Sequence, residues 1–568
     1  MFPQFFSLRS IASMSSVGLR IILVFGLILI NLTRTASAQN LTWDSSGSNP
    51  TAPTDGTGTW NFSSAHWSNG TTDLNWINGS TAFFGDHNGV AGTITLGVPL
   101  TAGGISFGSP GSSTYTIAGT GTNTLTLIGS TPTIFYLSGA TISAGISGTN
   151  GLTVSGGGPG TLTLSGSNTY TGGTNLQSGT LTLGSSGALG TTGTITFGDG
   201  TLQFTANNTT DYSNRISNAS LQNFSFDTNG QSVTLAGNLI SSGGDLVKNG
   251  AGILTLTGTN NYTAGTDLHG GELSLGSSGA IPTGSLISFG GGSLQFTSAN
   301  TTDYSSSFLT GFGVQYSIDT NGQAVTFASN LTSSGGTFTK FGAGSLNLTG
   351  TNTYSGGTTI KGGTLLADSS NSMGTGAVTV MSGGTLGGTG IIAPTGTNNV
   401  VVQSGGTVDL TAYDPAHLPA SFTNTLTLHL AGTNSATFQA GSSFVFNLGQ
   451  GGTSSELAFT GLTAATPQVF FNDNQVSLDF LSGAANGIYT LFSFDQSGAY
   501  SGTLQNGSNY TFQYNPTDIT VTLAPEPAAW SYLICGLLFL WLSRCVTFAS
   551  ACQLKNGTKN ACILMLPR

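Results

Sequence analysis

Acid/base chemistry on a sugar polymer needs paired carboxylates, and four aspartates of this chain recur at a fixed spacing. Asp211 precedes Asp303, and Asp227 precedes Asp319, by 92 residues each. Two facing carboxyl groups protonate a leaving oxygen and activate water, while a neighbouring Arg or Lys holds and deprotonates a uronate. Lys248 and Lys340, also 92 residues apart, are cations of that kind. The spacing argues against a shared site, because partners one repeat apart in a stacked chain lie several rungs from each other. Each aspartate also sits among Asn, Gly and Ser, where an Asx turn at a corner is the plainer role. The two lysines read as solvated.

Other chemistries have less to work with. His66, His87, His269, His417 and His429 are scattered, with no HxH or HxxxH spacing of the kind zinc sites use. No GxSxG follows a strand and opens a helix, and the calcium-binding nonapeptide GGxGxDxUx does not recur as a series. All four cysteines (Cys535, Cys545, Cys552, Cys562) lie in the last segment, so the body of the chain has neither a disulfide nor a thiolate metal site. The sequence implies no catalytic residue, no metal and no cofactor: a protein that is not an enzyme.

The elements that would position these residues are repeats. TLTLSGSNTYTGG at Thr161 returns as ILTLTGTNNYTAG at Ile253 and SLNLTGTNTYSGG at Ser345, at steps of 92 residues. Within each copy apolar residues alternate, and a Gly/Asn-rich corner ends in Tyr170, Tyr262 or Tyr354, the pattern of a half-buried strand and a turn. A shorter period lies inside: Leu162, Leu181 and Leu202, then Leu254, Leu273 and Leu294, then Leu346, Leu365, Leu386 and Val408, spaced by 19, 21 and finally 22 residues. Steps of that size are single coils of a β-solenoid, whose apolar face is buried only by the next coil. Equivalent leucines should ladder along the axis, four rungs to a repeat. About twelve rungs would make a rod on the order of 60 Å long.

Composition agrees. The 87 glycines and 6% charged residues are far from an ordinary enzyme, yet 37% hydrophobic residues alternating with Thr, Ser and Asn exclude a disordered chain. An all-β fold with many tight corners follows. Of 21 acidic residues, 20 lie between leader and tail, together with only four cations, Arg215, Lys248, Lys340 and Lys361. That field repels a phosphate backbone, so no nucleic acid is expected as a partner.

Residues 1–38 read as a secretory signal: Arg9 and Arg20, the apolar run Ile21–Ile30, then Ala36 and Ala38 before the cleavage point, with Gln39 as the new N-terminus. Residues 39–122 crowd Trp43, Trp60, Trp67 and Trp76 into a Gly/Asn/Thr background. They form a small β cap over the first coil or, with exposed rings, a sugar-stacking platform. The solenoid occupies 123–410, and 411–523 is a C-terminal β cap or small sandwich. Pro525, Glu526 and Pro527 then break the strand, an apolar segment covers 528–542, Arg544 closes 524–544, and 545–568 is an atypical tail. The expected architecture is an all-β, right-handed parallel β-helix or β-solenoid with β-rich N- and C-terminal caps.

The TLTLSGSNTYTGGT…SGTL pattern resembles the passenger-associated transport repeat, also called the autotransporter-associated β-strand repeat. Pro525–Pro527, the apolar run and Arg544 are similar to a PEP-CTERM sorting signal, although 24 residues follow Arg544 here. The resemblance implies export by the general secretory route and recognition of the tail by an exosortase-type enzyme during transient membrane insertion of the apolar segment. It places the protein on the outer surface or in the extracellular matrix of an exopolysaccharide-producing Gram-negative bacterium, in a structural or adhesive role. Extracellular polysaccharide or the cell envelope is then the partner. Two alternatives stand beside it: a polysaccharide-binding or polysaccharide-degrading β-helix, and an autotransporter passenger-like protein. The last needs a translocator barrel of many roughly ten-residue alternating strands, more than the region after Val408 provides.

Overall fold

The computed structural model describes residues 37–85, 89–109, 114–412, 424–449, 453–463, 466–481, 487–505 and 510–523. The chain is all-β, a parallel β-solenoid, with short 3-10 turns at Ser213–Arg215 and Ser305–Ser307. It divides into two compact units, Met1–Leu365 with Met373–Gly376, and Leu366–Ser372 with Ala377–Arg568.

In the first unit the strand Thr161–Leu164 shows how local sequence makes a rung. Thr161 and Thr163 face outward, and Leu162 and Leu164 are buried. β-branched threonine suits the pleated outer surface, and each leucine withdrawn from water stabilises the coil by about 1.5–3 kcal/mol. Leu162 pairs with Leu181 and Leu181 with Leu202, all in parallel register, and Leu254, Leu273 and Leu294 do the same. The predicted ladders are therefore present within the first two repeats, and Leu386 pairs with Val408 in the third.

Between repeats the ladders take a turn that the spacing does not announce. Leu202 pairs with Phe226, Phe226 with Lys248 and Lys248 with Leu268. Leu254, the 92-residue counterpart of Leu162, lies six residues past Lys248 on the next strand and in another ladder, which begins at Val233. Leu294 pairs with Ile318 and Ile318 with Lys340, repeating the same shift one copy later. Each repeat thus advances four coils and one further face, and repeat-equivalent residues occupy different faces instead of stacking on one.

Parallel pairing begins in the Trp-rich stretch: Asn40–Trp43 pairs with Thr81–Phe84, which pairs with Gly104–Phe107. Antiparallel closure is confined to Trp67–Ser68, set against Thr42–Trp43 and Asp73–Leu74. Trp43, Trp60, Trp67 and Trp76 are all buried and pack on one another and on Phe84 with ring centroids 4.6–6.3 Å apart. These rings seal the end of the unit; they offer no face to a sugar. Asp44, also buried, ties the loop beneath them by accepting from the N–H groups of Ser46, Asn49 and Thr54 and the hydroxyls of Ser46 and Thr54. Burial pushes its carboxyl up, but these donors win and hold it well below the usual carboxylate range.

In the second unit the coils lengthen. Val378, Val400, Ala436, Val469 and Tyr500 form one parallel ladder with steps of 22 to 36 residues. The wider interior is filled by phenylalanines, with Phe438, Phe444, Phe471 and Phe492 in mutual ring contact. Parallel coils therefore run through 411–523, the stretch expected as a cap or sandwich. The final strands, Ile488–Phe494, Tyr510–Tyr514 and Asp518–Leu523, pair antiparallel and close the unit.

Candidate functional site

The four period-related aspartates are corner fasteners. Asp211 accepts from the N–H and hydroxyl of Ser213 at 2.8 and 2.6 Å and from Ala236 N–H in the next coil at 2.9 Å. Asp303 accepts from Ser305 N–H and Ala328 N–H, both at 2.8 Å. Asp227 and Asp319 bind the N–H groups of Asn229 and Asn321 and the side-chain amides of Gln203 and Gln295 at 2.7–3.0 Å. Every carboxylate closes an Asx turn and ties it to a neighbouring rung. None faces its 92-residue partner, so no acid/base pair forms from them.

Lys248 and Lys340 are not solvated. Both are 0% exposed and take inward ladder positions, Lys248 between Phe226 and Leu268 and Lys340 between Ile318 and Ile360. The signal was present: in DLVKN and TFTKF, period-2 alternation puts the lysine on the same face as buried Leu246 or Phe338. Each ammonium is satisfied by three main-chain carbonyls, those of Asn249, Gly250 and Gly270 at 2.8–2.9 Å, and those of Phe341, Gly342 and Gly362 at 2.8–3.1 Å. Gly271 (φ +60) roofs the first cage and Gly363 (φ +63) the second; a Cβ there would come within 2.7 or 2.8 Å of the Nζ. One repeat earlier the same hole over Gly179 is filled by the Tyr136 hydroxyl, which donates to Thr180 O at 2.8 Å.

The motif that opened each repeat is likewise structural. Asn168, Asn260 and Asn352 each accept the N–H of Ile146, Leu239 or Leu331 at 2.8 Å, and Asn168 and Asn260 donate onward to Ala188 O and Ala280 O. Tyr170, Tyr262 and Tyr354 are buried, with hydroxyls 2.7–2.8 Å from those of Thr174, Thr266 and Thr358. Burial pushes the Tyr170 phenol up to about 12. Arg215 donates to the carbonyls of Leu189, Gly190, Thr192 and Gly193.

What remains free is the outward surface of the coils, which no single-residue motif marked. Among the described residues, open grooves run along it in the first unit. One of about 490 Å³ is floored by Phe83, Ile105 and Phe135, one of about 330 Å³ by Thr and Gly, and one of about 410 Å³ is edged by Lys361. Among the described residues no three His, Cys, Asp or Glu side chains are placed to hold a metal ion, and no helix is long and apolar enough to cross a membrane. His66 touches Asp44 O, and His269 and His429 are exposed; His87 and His417 lie outside the described residues. Of the residues predicted for processing, Ala36, Pro525, Glu526, Pro527 and Arg544, with the apolar segment 528–542 and the cysteines, also lie outside them. Ala38 is exposed, and Gln39 is tied to the first coils through Ser80 Oγ and Thr81 N–H.

Three stretches with this geometry, residues 157–183, 246–275 and 338–367, match the family described as Passenger-associated-transport-repeat. The chain is 40% identical over 126 residues to the adhesin BmaC autotransporter of Brucella suis biovar 1 (strain 1330), a match covering 21% of this chain and 3% of that protein. The chain therefore corresponds to a small part of that relative's length. The crystal structure of the Haemophilus influenzae Hap adhesin aligns over 80% of this chain and 65% of its own, at 13% identity and a TM-score of 0.21.

At one partly buried position the second of the three repeats carries an acid where the other two have threonine. Glu272 of the second repeat replaces Thr180 of the first and Thr364 of the third. One of its oxygens is buried without a hydrogen-bond partner. Burial first, and then the Asp319 carboxylate, pushes it up to about 7, against the pull of Gln295 and Lys248. A carboxyl with a raised folded pKa binds more protons in the native state, so its stabilising contribution is complete below pH 4.5 and lost as pH rises through about 7. Glu272→Thr is expected to remove this loss. Denaturant midpoints at pH 5 and pH 8 should differ less in the variant than in the parent, with the variant the more stable at pH 8; an unchanged difference would refute the assignment.

Proposed function

We propose that the chain is a non-enzymatic, exported protein of the cell surface or extracellular matrix of a Gram-negative-type bacterium, serving structure or adhesion. The observation that carries this reading is the use of ionisable groups: the aspartates and cations that suggested chemistry are consumed in fastening coils, leaving a long outward sheet surface. The similarity of its repeats to those of an autotransporter adhesin supports the same reading. The finer proposal is sorting through Pro525–Pro527, the apolar segment and Arg544 by an exosortase-type enzyme. A second reading, favoured by the same repeat match, is that of an autotransporter passenger-like region displayed by a translocator.

Fractionation of the producing cells separates these. Surface display predicts that externally added protease removes the protein from intact cells, and a purely cytoplasmic pool would sink both readings. Truncation after Leu523 is expected to release the protein into the medium under the sorting proposal. Retention at the surface after that truncation would refute sorting through the tail.

A further inference from the structure

The outward faces of successive repeats have opposite character. In the second repeat the face carries Asp245 and Asp267, with Asp199 one coil beyond Asn223, and His269 at its edge. Asp199 accepts from Asn223, Asp267 accepts from Ser288 and His269 contacts Asn249, while one Asp245 oxygen is buried without a hydrogen-bond partner. One repeat later every acid is gone. The counterparts of Asp199, Asp245 and Asp267 are Gly291, Thr337 and Thr359, while Asn249 becomes Phe341 and His269 becomes Lys361.

Loss of three like charges and gain of a cation and an aromatic ring fall on one face, and that face is a groove of about 410 Å³. It is lined by residues of the strands Gln315–Asp319 and Thr337–Phe341, with Gly291 and with Lys361, which follows the strand Gly357–Ile360. Lys361 is exposed, whereas the other three cations among the described residues are held by main-chain carbonyls. The one carboxylate on these strands, Asp319, is buried and occupied by Asn321 and Gln295. Among the described residues the side chains of Gln315, Ser317, Thr337 and Thr339 make no hydrogen bond to protein, so their donors and acceptors are available to a ligand.

We propose that this groove binds an acidic polysaccharide lying across the coils, with Lys361 pairing to a sugar carboxylate or sulfate, Phe341 packing on a ring face, and Gln315, Ser317, Thr337 and Thr339 bonding hydroxyls. The chemistry selects that class. On a chain of net charge −10 an anionic polymer is repelled almost everywhere, and this face lacks the repelling acids. A hydroxyl-rich ligand matches a floor of free hydroxyl and amide groups, and an aromatic side chain supplies apolar area at the edge of a polar site. The proposal deepens the surface reading and rests on it only for access to such a polymer.

Binding of the purified chain to short oligogalacturonates, heparin-derived oligosaccharides and neutral malto-oligosaccharides, followed by calorimetry at low and moderate salt, tests it. Acidic sugars are expected to bind and neutral ones not, with affinity falling as salt rises. Preference between the first two identifies carboxylate or sulfate as the group recognised. Lys361→Glu and Thr337→Asp, the latter restoring the acid of the preceding repeat, should each weaken binding about tenfold or more; Phe341→Ala should weaken it at both salt concentrations. Unchanged circular dichroism and melting confirm that these outward substitutions leave the coils intact. Equal binding of neutral sugars, no binding of acidic ones, tighter capture of an acidic peptide, or indifference to Lys361→Glu would overturn the proposal. Since the assay uses purified protein, failure here leaves surface display standing, and failure of surface display leaves this result standing.

Discussion

Replacing Trp67 by alanine is expected to cost the N-terminal coils about 3–5 kcal/mol, the range for emptying a buried large aromatic site. Trp67 is fully buried and touches Trp43, Trp60, Trp76 and Phe84 at centroid distances of 5.3, 5.0, 4.6 and 5.5 Å, so the cavity would open in the middle of the cluster that seals the unit. Coils of a solenoid are held mainly by their neighbours, and an unsealed end frays before the rest. Limited proteolysis should therefore cut Trp67→Ala first within residues 40–107, while later coils persist. Trp67→Phe separates packing from hydrogen bonding. The Trp67 indole N–H has no partner, whereas those of Trp43 and Trp76 donate to Gly56 O and Thr101 O at 3.1 Å. Phenylalanine at 67 should cost clearly less than alanine, and equal losses for the two would show that the seal does not depend on filling this space.

The second large effect belongs to the caged lysines. Lys248→Ala empties an inward rung and leaves three carbonyls without their donor, an expected loss of about 2–5 kcal/mol. Lys248→Met keeps the stem and should cost about 1–3 kcal/mol, the penalty of the unpaired acceptors alone. The pH dependence gives a sharper signature. Burial lowers the Lys248 and Lys340 ammonium groups from 10.5 to about 8, against the opposing pull of Asp227 and Glu272 on Lys248 and of Asp319 on Lys340. Between those values the unfolded chain binds more protons than the folded one, so stability rises with pH from about 8 toward 10.5 and falls back as pH drops through about 8. Above pH 10 the buried tyrosines oppose this, because unfolded phenols ionise there while Tyr170 stays neutral to about 12. Denaturant midpoints of the parent should increase between pH 7.5 and pH 9.5. A Lys248→Met, Lys340→Met double variant should lose that increase, and retention of it would show that other groups titrate.

The aspartates and lysines show how far local sequence carries an assignment. Asp211, Asp227, Asp303 and Asp319 were legible as corners, because an Asx turn needs only the residue and the two or three that follow it. Residue type alone would put Lys248 and Lys340 in solvent, although the alternation of the strands that hold them places both inward. The carbonyl cages were beyond sequence, since Gly270 and Gly362 come from the next coil. The same limit hid the groove beside Lys361, whose floor joins strands some 20 residues apart.

Thr161–Gly173 and its two copies were enough to determine an all-β solenoid, the length of its coils and the leucine ladders within a repeat, because side-chain alternation and coil length are local properties of the chain. Only the tertiary structure decided which ladder follows which. Four coils from Leu162 end at Lys248, six residues short of the 92-residue repeat, so the chain enters each new copy one strand further round. That remainder accumulates over four coils of unequal length and is written in no single motif. It sets successive repeats on different faces, and with them the acidic face of one and the Lys361 groove of the next.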